Sequence, residues 1–97
     1  MTNQLSADDF LPHVDKLFRV RDGRHVLKLV SVDLPPPNVA KGAPRPPFNL
    51  IFSGPPGDVL REGMYTLEVE DGPSFALYVI PVQTFERNRQ DYQSAFN

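Results

Sequence analysis

In six segments between Leu17 and Phe96 the apolar residues recur at every second position, and this period of two constrains the fold more than any other feature. Successive side chains of an extended strand point to opposite faces, whereas a helix would need apolar residues three and four apart. Read this way, "LFRVR" (17–21) sets Phe18 and Val20 against Leu17, Arg19 and Arg21. "HVLKLVSVDL" (25–34) puts Leu27 and Leu29 on one face but Val30 and Val32 on the other, which predicts a bulge or sharp bend near Leu29. "FNLIFSG" (48–54), "MYTLEVE" (64–70), "SFALYVIPV" (74–82) and "DYQSAFN" (91–97) each carry an inner row: Phe48, Leu50 and Phe52; Tyr65, Leu67 and Val69; Phe75, Leu77 and Val79; Tyr92, Ser94 and Phe96.

The turns are set by the residues between these rows. "DGR" (22–24) joins the first two strands, with Gly23 free to take positive φ, and Asp71-Gly72 predicts a two-residue hairpin. Residues 76, 78, 80 and 82 are also apolar, so the 74–82 strand is expected to be central and covered on both faces, by the N-terminal helix or by a partner. Pro81 is expected to mark the end of its ladder. Upstream, "SADDFLPHV" reads as a short helix entry: Ser6 caps, Asp9 completes a capping-box spacing, and Pro12 limits the helix to about a turn. Six strands and one helical pattern predict an all-β chain, a small antiparallel barrel or two-layer sandwich with a short N-terminal helix.

Ninety-seven residues suit one domain, residues 1–97. "LPPPNVAKGAPRPPF" (34–48) is therefore no linker between two cores. Its prolines fix φ and lack the N–H that a ladder needs, so the chain must leave the sheet at Leu34 and return at Phe48. Residues 35–47 read first as a stiffened crossover. They read second as a proline-rich ligand, with Pro36, Pro37, Arg45, Pro46 and Pro47 meeting an aromatic groove, and third as part of an oligomer interface.

The net charge is −2, and the ten basic residues are scattered, which disfavours nucleic acid. Without cysteine there are no disulfides or thiolate metal sites; this suits a reducing compartment, and a cytoplasmic location is expected. No stretch reaches the roughly 20 apolar residues of a spanning helix and no secretion signal opens the chain, so no membrane is expected and the mature chain is expected to begin here. His13 and His25 lack the carboxylate spacing of a metal site. In "SGPPG" (53–57) the prolines remove the N–H groups that would cradle phosphate. Glu68, Glu70 and Asp71 read as a solvated hairpin edge. No catalytic, metal or cofactor residue is expected.

The segments "PFNLIFSGP", "LREGMYTLEVEDGPSFALYVIPV" and "DYQSAFN" resemble a family of small uncharacterised bacterial domains over residues 5–97. The shared pattern falls on Phe10, Phe18, Pro47, Phe48, Leu50, Phe52, Gly54, Pro55, Gly63, Tyr65, Leu67, Glu68, Pro81, Tyr92, Phe96 and Asn97, and the connection carrying Phe85 departs from it. The resemblance implies no catalytic residue. It does imply a neighbourhood of proteins similar to phage-tail collars, and hence a structural or assembly role.

The sequence is therefore expected to encode a non-enzymatic protein-interaction or assembly module that binds a protein partner or forms a homo-oligomer. Its surfaces would be the proline stretch and the second face of 74–82, above all Tyr78 and Ile80. The alternatives are a small-molecule-binding barrel, against which the bulk of Phe48, Phe52, Tyr65, Leu67, Phe75 and Leu77 speaks, and a small enzyme using His13 or His25.

Overall fold

The computed structural model describes residues 5–34, 47–84 and 88–96. Six strands, β1 (Leu17–Val20), β2 (Val26–Asp33), β3 (Phe48–Gly54), β4 (Gly63–Val69), β5 (Ser74–Val82) and β6 (Gln90–Phe96), close into an antiparallel barrel in the order β1-β2-β3-β6-β5-β4. Closure decides between barrel and sandwich. The inner rows meet in one core, with Phe18, Leu27, Leu29, Leu50, Phe52, Leu67, Val79 and Tyr92 fully buried.

The switch of face in β2 is a bulge. Leu29 pairs with Phe52 and Ser31 with Ile51, so Val30 is the extra residue. Because one residue is skipped, Val32 returns to the inner face opposite Leu50 and packs on the core. The bend lets β2 serve β1 with its first half and β3 with its second.

Two single-turn 3-10 helices, Ala7–Asp9 and Leu11–His13, precede the barrel. The Asp9 carboxylate accepts the Ser6 backbone N–H at 2.7 Å, the carboxylate half of the predicted box. The segment, one of the two covers expected for the outer face of β5, does not lie over it. Instead Phe10 plugs one end of the barrel, its ring centroid 4.5 Å from Phe75, 5.7 Å from Phe96 and 5.9 Å from Phe48. Burial drives this: a chain of this size gains more from filling the open end with an aromatic ring than from covering Ala76 and Tyr78, which stay exposed.

Both predicted turns differ in detail. Positive φ falls on Asp22 (64°), not Gly23, in the β1–β2 turn, and on Asp71 (56°) in the β4–β5 turn. Aspartate tolerates this region because its short side chain bonds locally. The β4–β5 connection holds three residues rather than two, since the Val69 N–H donates to the Pro73 carbonyl at 2.9 Å and Glu68 faces Ser74.

Pro81 is the penultimate residue of β5, beyond the end of the β4 ladder at Val79 and opposite Tyr92 of β6. Antiparallel bonding alternates along a strand, so with Ile80 and Val82 turned toward β6 the Pro81 nitrogen faces the side where β4 has not yet begun, and the missing N–H breaks no bond. Pro36, Pro37, Arg45, Pro46, Phe85 and Asn97 lie outside the described residues, while Pro47 is half-buried just before β3.

Candidate functional site: the outer face of β4 and β5

With Tyr65, Leu67 and Val69 turned inward on β4, and Phe75, Leu77 and Val79 on β5, strand geometry turns Met64, Thr66 and Glu68 outward beside Tyr78, Ala76 and Ser74. Met64 and Tyr78 are direct partners and are 66% and 43% exposed. They form a non-hydrogen-bonded pair, the kind in which opposed side chains lie closest. The Tyr78 hydroxyl donates to the Glu62 carboxylate, and that bond, with partial desolvation and the negative charge, pushes the phenol pKa up. Tyr78 is thus held as a neutral, oriented aromatic. Ala76 extends the patch and Ile80 is half-buried at its margin.

A charged strip borders this face. Glu68, opposite Arg19 on β1, accepts from Arg21 Nε at 2.9 Å and from Arg19 at 3.4 Å, while Arg21 also reaches the Ser74 hydroxyl. The hydrogen bond from Arg21 is the main reason the Glu68 carboxyl titrates below its ordinary range. The expected solvated edge is in part an ion-pair network. Arg19, Glu68 and Ser74 of this strip also line an open groove of about 880 Å³ over Leu17 and Val26, bounded by Glu70, Asp71 and Gly72. It is on the outside of the barrel, whose interior the large side chains occupy.

The loop between β3 and β4 supports the face from one end. The Leu60 N–H donates to the buried Tyr92 hydroxyl at 2.9 Å, and Arg24 grips Asp58 with bonds of 3.0 and 2.7 Å. His25 Nε2 lies 3.1 Å from the Asp58 carbonyl. A carbonyl only accepts, so this nitrogen carries a proton. Tyr65 donates to the Arg61 carbonyl at 2.7 Å, so the residues leading to Met64 are tied to the sheet.

Of the residues singled out from sequence, Tyr78 and Ile80 lie on this face, while Pro47 leads into Phe48 at the end plugged by Phe10. The two histidines are not brought together: His25 holds the β3–β4 loop, and the His13 ring sits 6.4 Å from Phe18 and 6.2 Å from Phe75. Among the described residues no three potential ligands group to hold a metal ion. Nor, among them, is any helix long and apolar enough to cross a membrane. Met64 is the residue that sequence reasoning missed; its place beside Tyr78 depends on the hairpin register.

Residues 5–96 match a family model described as a domain of unknown function (DUF6916). No curated protein and no solved structure matches the chain.

Proposed function

The chain belongs to the DUF6916 family, and from that premise we propose that it is a non-enzymatic protein-interaction or assembly module that docks a protein through the outer face of β4 and β5. The observation that carries this reading is the Met64–Tyr78 pair: two large apolar side chains in direct register and open to water, where most large apolar side chains among the described residues are wholly or partly buried. Adjacent apolar groups on a small domain's surface mark contact sites, and methionine with tyrosine is a pairing that adapts to a partner while offering it a hydroxyl. The filled interior favours this over a small-molecule barrel, and the structural duties of His25 favour it over chemistry there.

The resemblance to small bacterial domains near phage-tail-collar-like proteins points the same way, toward a part in a larger assembly. A cytoplasmic location belongs to the proposal, resting on the cysteine-free sequence.

The test is affinity capture from the native host with the wild-type chain, Met64→Glu, Tyr78→Glu and, as a control away from the face, Lys28→Glu. Wild type and control should retain the same protein and the two face variants should lose it, with unchanged far-ultraviolet circular dichroism. Equal recovery by all four chains would remove this face from consideration.

A further inference from the structure

We infer that the chain pairs with a second copy of itself along the open edge of β5, residues 74–78 running antiparallel to the same residues of the other copy. This goes beyond the reading of the outer β4–β5 face as a docking surface, since it concerns the edge of the same sheet.

The ladder fixes which backbone groups are free. The Val69 N–H bonds the Pro73 carbonyl, so alternation along the register makes Phe75, Leu77 and Val79 the residues of β5 that bond β4. The other side of β4 agrees, since Thr66 accepts from the Arg21 N–H and the Glu70 N–H donates to Leu17, leaving the even-numbered residues of β4 for β1. The N–H and C=O of Ser74, Ala76 and Tyr78 therefore point away from β4. The ladder between β6 and β5 comprises Ile80, Pro81 and Val82 of β5. Among the described residues no strand is in ladder register with Ser74, Ala76 or Tyr78 on that side, and all three residues are exposed.

Such an edge invites another strand, and proteins blunt it with lysine, proline, a bulge or an inward charge. Residues 74–79, "SFALYV", have none of these. The edge is also self-complementary. About a two-fold axis at Ala76, each Ala76 exchanges N–H···O bonds with its counterpart, and Ser74 of either copy faces Tyr78 of the other. The residue at the axis is small, and no like charges meet even though the chain carries a net −2. Pairing makes one sheet in the order β4-β5-β5-β4 and sets the Met64–Tyr78 patches of both copies on the same surface.

Sedimentation velocity over a concentration series tests this with the full chain, using Ala76→Lys, Ala76→Glu and Ala76→Pro. The wild type should dimerise. Lysine or glutamate at 76 faces its own copy across the axis, so each variant alone should be monomeric, and an equimolar mixture of the two should restore the dimer. Proline at 76 removes only an N–H on the open edge, so it should abolish the dimer while the β4 ladder stays intact. A wild type that is monomeric at every concentration while Tyr78→Glu still abolishes partner capture overturns the pairing and leaves the docking face standing. Dimers that survive Ala76→Lys and Ala76→Pro unchanged overturn the pairing as well.

Discussion

The phenol of Tyr92, fully buried in the core, accepts the backbone N–H of Leu60 at 2.9 Å and so fastens the β3–β4 loop to β6. Tyr92→Phe keeps the ring but leaves a buried amide without its acceptor. The expected loss is about 1–3 kcal/mol in urea unfolding, the range for an orphaned buried donor. The Leu60 amide should exchange with deuterium faster than its neighbours in the same variant.

Gly54 ends β3 where a Cβ would lie 2.9 Å from Leu27 Cδ2 and 3.4 Å from Tyr92 Cε1. Both neighbours are fully buried, so room must come from the core. Gly54→Ala should destabilise by about 1–3 kcal/mol, as overpacking does. Adding Leu27→Val removes the offending methyl group, so the double variant should lose less than the two single losses combined. Simple addition would show that the clash is relieved elsewhere.

Phe10 joins the N-terminal turns to rings from three strands. Phe10→Ala should cost about 3–5 kcal/mol, the usual range for deleting a buried phenylalanine ring. Because the ring fills one end of the barrel, the amides of Phe75 and Phe96 should lose more exchange protection than those near Gly54. A uniform loss would contradict a plugging role.

Acid should weaken the ion pairs at the surface. The bond from Arg24 holds the Asp58 carboxyl below its ordinary range, and the bond from Arg21 does the same for Glu68. A carboxyl whose folded pKa is depressed stabilises above its unfolded pKa, and the contribution fades as pH falls through the folded value. Urea midpoints should therefore drop below the ordinary carboxylate range, about pH 4, and less so at high salt because both groups are partly open to solvent. Asp58→Asn should flatten this dependence, whereas an unchanged slope would assign the acid sensitivity to other groups.

The inner rows of all six strands are legible in the sequence because burial on one face imposes alternation whatever the topology. The bulge near Leu29 is legible for the same reason, as a break in that alternation. The three-residue turn is also readable in principle. If Leu67 and Phe75 both point inward, facing residues must pair with an even sum of positions, as Leu67 with Phe75 does, and a two-residue Asp71-Gly72 loop gives an odd sum. Turn propensity and face parity disagree at this hairpin; parity is the stronger constraint, and the three-residue connection that satisfies it here sets Met64 opposite Tyr78.

Other features have no local signal. Nothing in "SADDFLPHV" says that Phe10 caps the barrel end rather than the back of β5, because either place would shelter an aromatic ring. The bond between Tyr92 and Leu60 joins residues 32 apart in the chain, and the clamp of Arg24 on Asp58 joins residues 34 apart.

Which side of each strand is apolar, where the strands break and that they share one all-β core are already written in the order of the residues, since these depend on local geometry and on removing apolar area from water. That the sheet closes, that Phe10 fills one particular end and that the β6 ladder takes only the last three residues of β5 emerge only when the strands pack together. Those outcomes depend on how twisted strands meet across long stretches of chain, and the polarity of a residue carries no record of the neighbour it will find there.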